Sequence, residues 1–380
     1  MKPIALAFAI VLFVFIGIPS VNGAAPVKIA AIFPQTGDPG LLTKDMVFNS
    51  FLGVRIAVDR INSSGGLLGH PIELIELDNQ SSAMGAKLAA EQAVKAGVLA
   101  VIGANRSSRS LAMAQVLQPA GIPMITPIST NPEVTRVGDY IFRVCVTDDF
   151  QGVVMAVFAS RELKARTAVV LTNADEKYSI DLAAVFSEHF KKSGGQVLWE
   201  GDYLNQTTDF GQLVTRVKEL HPDVCFIPGY SRDSAFIIKQ AKEAGVDCAF
   251  LGGDGWTMDM YQYGGKAVEG GYFFDHWHRT ANDERTRDFV EEYEVKRHYG
   301  QIADAGPALS YDATMLLADA VRRANSLDKA VIRDALAATR DFMGVTGAIT
   351  FDNERNPGGK QAVVMKFENK SVIWVKSVKP

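Results

Sequence analysis

Cysteine is scarce in this chain: three residues in 380, Cys145, Cys225 and Cys248. That is too few, too widely spaced, for a disulfide framework. Cys225 and Cys248 belong to successive strand-like runs, so pairing and plain burial of two small residues both stay open. A basic excess is missing as well, with 39 Lys and Arg against 43 Asp and Glu. The net charge of −4 excludes nucleic acid as the expected main partner, because phosphate recognition concentrates Lys and Arg. Beyond the N-terminal segment no apolar run is long enough to cross a bilayer. Catalytic signatures are lacking too: no G-x-S-x-G elbow, Walker A loop, G-x-G-x-x-G after a strand, or H-E-x-x-H helix. Neither an enzyme nor a cofactor is expected. His276-Trp277-His278 puts two imidazoles on one face of a strand, but no third metal ligand is near in sequence. Exposed histidines beside an interlobe strand are the expectation there, and no metal.

What is present begins at the first residues. Met1-Lys2 precedes an apolar run from Ile4 to Ile18, then small residues from Ser20 to Ala25. A basic start, a short apolar stretch and a small-residue site make a cleavable export signal. The run falls short of the roughly 20 residues a spanning helix needs. Cleavage is expected after Gly23, with Ala25 as the alternative. No cysteine stands just after that site, the first being Cys145, so a free periplasmic protein is expected rather than a lipoprotein.

A chain of this length normally divides into two domains. From Val27 onward, short apolar runs alternate with amphipathic helical stretches. Strands are expected at Val27–Pro34, Pro71–Asp78, Leu99–Gly103, Ile122–Thr126, Thr167–Thr172, Gln196–Tyr203, Asp223–Pro228 and Cys248–Gly253. Helices fall between them, at Met46–Asn62, Ala83–Ala96, Ser108–Gln118, Ile180–Lys191, Phe210–Leu220 and Asp233–Ala244. This alternation predicts right-handed βαβ units, and continuous apolar strands predict parallel sheets covered on both faces. The rhythm breaks near Tyr140–Phe150, Gly270–His278 and Gly344–Asp352. Three breaks predict three crossings between two doubly wound α/β lobes. Lobe 1 is expected to hold 24–147 and 277–343, and lobe 2 to hold 148–276 and 344–380.

In open parallel sheets ligands gather beyond the carboxyl ends of the strands, where helix N-termini offer free N–H groups. Those positions carry Asn105 to Ser110 after one strand and Ile128-Ser129-Thr130-Asn131 after another. In the second half, Asn173 to Tyr178, Gly229-Tyr230-Ser231 and Asp254-Gly255-Trp256 follow the strands. One lobe thus offers hydroxyls, and the other a carboxylate among aromatics. The set suits a zwitterion: its carboxylate at Ser107 and Thr130, with Ser108 and Ser129 beside them. Its ammonium would meet Asp254, between walls of Tyr178, Tyr230 and Trp256. Each residue has a plainer reading. Ser107 or Ser108 suits a helix N-cap, Thr130 a turn, Tyr178 an exposed helix start, and Asp254 another cap.

At this point the chain resembles the periplasmic leucine/isoleucine/valine-binding proteins, the type I solute-binding family of branched-chain amino-acid ABC transporters. The likeness rests on Ala57–Gly69, Val101-Ile102-Gly103, Met124–Pro127 with Pro132–Thr135, Gly229-Tyr230, Phe250–Gly255 and Gly347–Asp352, in this order and spacing. The resemblance implies the type I periplasmic binding protein fold, a three-segment hinge, no enzymatic activity and delivery to a membrane permease. It implies that Ser107 and Thr130 bind an α-carboxylate and that Asp254 is the ammonium's countercharge. Ile128 would offer its backbone carbonyl to the ammonium, and Tyr178 and Tyr230 would line the pocket. The chain departs from the pattern at Ile128, where a smaller residue is usual. It departs again at Arg106 and Arg109, expected to face solvent unless the ligand is acidic, and in a longer Asp38–Asn49 stretch. A ligand sensor is the rival reading, and an aromatic acid or amide the rival ligand.

Overall fold

The computed structural model describes residues 24–37, 49–281, 283–298, 302 and 304–378. The expected signal at 1–23 and most of the Asp38–Asn49 stretch lie outside the described residues.

The first sheet is wholly parallel, in the order β2-β1-β3-β4-β5. Its strands are β1 (Val27–Phe33), β2 (Ile72–Asp78), β3 (Ala100–Gly103), β4 (Met124–Thr126) and β5 (Ile141–Arg143). Along β1 the pleat sends Ile29, Ala31 and Phe33 into one apolar layer and Ala30 and Ile32 into the other. Both faces are buried, which is why the strand reads as an unbroken apolar run. Helices Asn49–Ser63 and Gly306–Ala324 supply the first layer through Phe51, Ile56, Leu309 and Leu316. Helices Ala83–Ala96 and Ser107–Leu117 supply the second, where Ala86, Ala89, Ala90 and Ala93 let the backbone approach the sheet.

The second sheet runs β15-β14-β10-β9-β8-β6-β7. Its strands are β6 (Thr167–Asn173), β7 (Gln196–Tyr203), β8 (Val224–Phe226), β9 (Ala249–Gly252) and β10 (Tyr272–Asp275), with β14 (Ala362–Glu368) and β15 (Ser371–Val378). All pairs are parallel except β10 with β14 and β14 with β15. A small antiparallel sheet joins β11 (Phe342–Gly344), β12 (Gly347–Phe351) and β13 (Pro357–Gly358).

The chain passes between lobes three times. Val144 and Cys145 belong to the lobe 1 core, and Val146 to that of lobe 2. Phe274 is in lobe 2 and Trp277 in lobe 1. The third passage falls at 359–361, later than the expected Gly344, because Val345, Ile349 and Phe351 pack in the lobe 1 core. Asp312 holds that segment there, accepting from Val345 N at 2.7 Å and Thr346 N at 2.8 Å. Arg355 adds a donation to Thr135 O at 2.7 Å. In the third passage the buried Lys360 ammonium donates to Val144 O, so two of the three hinge strands are tied together.

The three cysteines are free thiols, Cys145 and Cys225 buried and Cys248 partly so. Burial pushes Cys145 and Cys248 up to about 12. They serve as small apolar residues.

Candidate ligand cleft between the lobes

The carboxyl ends of both sheets face each other across a cavity of about 180 Å³. A volume of that order accommodates a molecule about the size of benzene. Lobe 1 lines it with Arg106, Ser107, Arg109, Ile128 and Thr130, and lobe 2 with Tyr178, Tyr230 and Asp254.

Ser107 opens the helix Ser107–Leu117, and Arg106, not a serine, occupies the N-cap position. Neither Ser107 nor Ser108 is therefore the cap. The Ser107 hydroxyl accepts from Asn131 N at 3.2 Å, which ties the loop after β3 to the loop after β4. The buried Arg143 guanidinium braces that second loop by donating to Ser129 O at 2.7 Å and Asn131 O at 2.6 Å. Thr130 is buried, and its carbonyl accepts from Asp148 N at 3.0 Å, so the loop is anchored to the first hinge crossing.

Across the cleft, Tyr178 sits in the first turn of Lys177–Lys192 and is buried, not exposed. It stacks on Tyr230 with centroids 5.2 Å apart, and its hydroxyl accepts from Gly255 N at 3.0 Å. Burial raises the Tyr178 phenol well above its ordinary range, so it stays protonated and neutral. Gly253 makes room for it, since a Cβ there would meet the Tyr178 hydroxyl at 2.4 Å.

The Asp254 side chain is 5% exposed. One carboxylate oxygen, Oδ2, lies 2.9 Å from Nε2 of His276. The other, Oδ1, is buried and has no hydrogen-bond partner among the described residues. Around it Asp148, Asp275 and Asp304 are all pushed up by burial, Asp148 to about 8. For Asp148 the Thr130 hydroxyl opposes the rise and the nearby Asp254 adds to it.

Several residues stand elsewhere than the sequence led us to expect. Trp256 turns its indole into the lobe 2 core, donating to Ile227 O at 3.1 Å and leaning on Phe367. It is no cleft wall, because an apolar ring gains more by burial behind β9. Ser129 spends its hydroxyl on Ser110 Oγ at 2.7 Å and Ala104 O at 3.2 Å, inside the loop. Ser108 lies off the cavity and reaches over the lobe boundary to Glu176 Oε2 at 3.0 Å. A second bridge between lobes runs from Asn131 Nδ2 to Asp181 Oδ2 at 2.8 Å. Arg106 and Arg109 line the cleft rather than face solvent. The Arg106 guanidinium lies 3.9 Å over the Tyr230 ring, and Arg109 is buried, donating to Ser81 O. His276 is buried rather than exposed. Sequence reading did not include it, or Pro34, Ser81, Arg232 and Asp304 of the lining, among the site residues, although Pro34 and His276 directly follow strands β1 and β10.

Residues 26–371 match the family model described as periplasmic binding protein. The chain belongs to that family. It is a solute-binding receptor of the ABC-importer type and not an enzyme. A leucine-binding protein from Thermotoga maritima is 36% identical with a TM-score of 0.87, over 93% of this chain and 99% of that one. A branched-chain amino-acid binding protein from Streptococcus pneumoniae, solved with isoleucine, is 29% identical with a TM-score of 0.86, over 93% and 100%. A leucine-, isoleucine-, valine-, threonine- and alanine-binding protein from Pseudomonas aeruginosa is 28% identical over 87% of each chain. A Rhodopseudomonas palustris protein solved with benzoate shares the fold at 19% identity, with a TM-score of 0.80 over 93% and 97%.

Proposed function

We propose that this family member carries a free α-amino acid to a membrane permease, acting as an exported periplasmic monomer whose lobes close on the ligand. The α-carboxylate is placed at Ser107 and Thr130, beside the N-terminus of Ser107–Leu117. The ammonium is placed at Asp254 and the carbonyl of Ile128, with the side chain against Tyr178 and Tyr230. One observation carries this reading: the Asp254 side chain is almost wholly buried in the cleft with Oδ1 unpartnered among the described residues. A buried carboxylate calls for a cation or strong donors, and an ammonium supplies both. The same feature disfavours an aromatic acid without an amine, which would bring a second negative charge to Asp254. Export rests on the sequence of residues 1–23, and permease delivery on membership of the family.

The lining of the cleft is mixed: it includes Ile128, Pro34 and Tyr263 as well as Ser81, Arg106, Arg232 and Thr257. That lining accommodates polar side chains as well as branched ones. The test is a thermal-shift screen of the twenty common amino acids against carboxylic acids and amides without an amine, followed by calorimetry. Binding to the native state raises the melting temperature by mass action. Stabilisation by one or more amino acids is expected. Stabilisation by amine-free acids alone would overturn the assignment.

A further inference from the structure

His276 lines no part of the cavity, yet it makes the only hydrogen bond given to the Asp254 carboxylate among the described residues. It lies in the second passage between lobes, directly after β10. Its side chain is completely buried, at 0% exposure. Three contacts fix it. Its main-chain N–H donates to Asp275 Oδ1 at 2.7 Å, the Phe274 ring meets the imidazole edge-on at 5.4 Å and 84°, and Nε2 faces Asp254 Oδ2 at 2.9 Å. Facing a carboxylate, Nε2 is the donor, because a carboxylate only accepts.

We infer that His276 is a positioning residue for the ligand's amine: it engages one oxygen of Asp254 and so fixes the carboxylate, leaving the other, Oδ1, without a partner among the described residues and available to the amine. The inference rests on the amino-acid reading above. An aspartate has a free χ2 rotation that is broad and roughly two-fold. Without a donor on Oδ2, either oxygen can turn away from the cleft, and the ordering cost falls on ligand binding. Asp254 N donates to Gln151 Oε1 at 3.2 Å, and Tyr178 accepts from the next residue, so the backbone is already held. The carboxylate plane is what remains to be fixed, and His276 is the group in contact with it. This also places the selectivity for amines partly outside the cavity wall, in a hinge strand.

The experiment compares His276→Gln with His276→Leu. Gln Nε2 stands the same number of bonds from the backbone as the imidazole Nε2, so it can restore the donor, whereas Leu fills space without one. Each variant is checked by circular dichroism and thermal melting. All three proteins are titrated by calorimetry with the twenty common L-amino acids and with the matching carboxylic acids that lack the amine. His276→Leu is expected to weaken amino-acid binding by roughly 10- to 100-fold, the scale of a lost hydrogen bond to a charged group. Binding of the amine-free acids should stay level or improve, and His276→Gln should recover most of the amino-acid affinity. A folded Leu variant with parental amino-acid affinity overturns the inference. So does a folded Gln variant as weak as Leu, or an equal loss for amine-free acids, since either assigns His276 to packing alone. A parent that binds no amino acid overturns the ligand reading itself, and is told apart by the parental titration.

Discussion

Removing the Asp254 carboxylate is the sharpest perturbation the cleft offers. Its side chain is 5% exposed, and its hydrogen-bond partner His276 is fully buried. On the proposed placement, lobe closure withdraws the ligand's ammonium from water beside it. In Asp254→Ala that ammonium would be buried without its countercharge, and breaking a buried pair from one side costs about 3–5 kcal/mol. The dissociation constant should therefore rise by about two to four decades. Asp254→Asn keeps the volume and can still accept from His276, so its loss should be smaller. Isothermal calorimetry with the best-binding amino acid measures both, and the melting temperature of the free variants separates folding damage from lost affinity. A further sign is expected in the free protein. Asp254 is one of the groups holding the Asp148 carboxyl up at about 8, so Asp254→Ala should move Asp148 down. Unchanged amino-acid affinity in Asp254→Ala would refute the placement of the amine.

Replacing Ser107 and Thr130 together by Ala should weaken binding through the loss of charge-assisted hydrogen bonds, each about 1.5–3 kcal/mol. Parental calorimetric affinity in that double variant would remove the carboxylate from this loop pair. Breaking the bridges between lobes with Ser108→Ala and Asn131→Ala should favour the open form and weaken binding by several-fold. Small-angle scattering should then show a larger radius of gyration in the free variant than in the parent. Asp148 gives a pH dependence. Its folded pKa of about 8 lies above the roughly 3.9 of an unfolded aspartate, so the native state holds the extra proton between those values. Stability from this group is intact below the unfolded value and is lost as pH rises toward 8. Melting temperatures from pH 5 to 9 should fall more steeply in the parent than in Asp148→Asn, and equal slopes would refute it.

The strands and most helices were legible because both lobes repeat one device, an apolar strand buried on two faces. The β1 alternation of Ile29, Ala31 and Phe33 against Ala30 and Ile32 shows why the run is unbroken. Cleft loops were legible for the same reason, since carboxyl ends of parallel strands converge. What escaped was side-chain direction. Trp256 follows a strand like Asp254 but turns into the core, and nothing in the local sequence separates the two. Ser108 and Ser107 are adjacent on a helix, about 100° apart around its axis, so one reaches the cleft and its neighbour reaches Glu176. His276 was the largest miss. Its partner is distant in sequence, and only the pairing of β9 with β10 brings the two strand ends together.

The two ends of the proposed ligand are tied to different hinge strands. The loop carrying Thr130 hands its carbonyl to Asp148 N at the first crossing, while Asp254 is held by His276 of the second. Lys360 of the third crossing binds the Val144 carbonyl of the first. A ligand shifts an open–closed equilibrium only as far as it binds one form better than the other. On the proposed placement a zwitterion does so, because its carboxylate meets lobe 1 while its ammonium spans the Ile128 carbonyl of lobe 1 and the Asp254 carboxylate of lobe 2, so the ammonium gains its countercharge only on closure. A carboxylic acid without the amine would lack that charge pairing across the lobes and gain less by closing them. Discrimination against amine-free acids is therefore expected to exceed what contact with Asp254 alone would supply. It should shrink in any variant that holds the lobes together without a ligand.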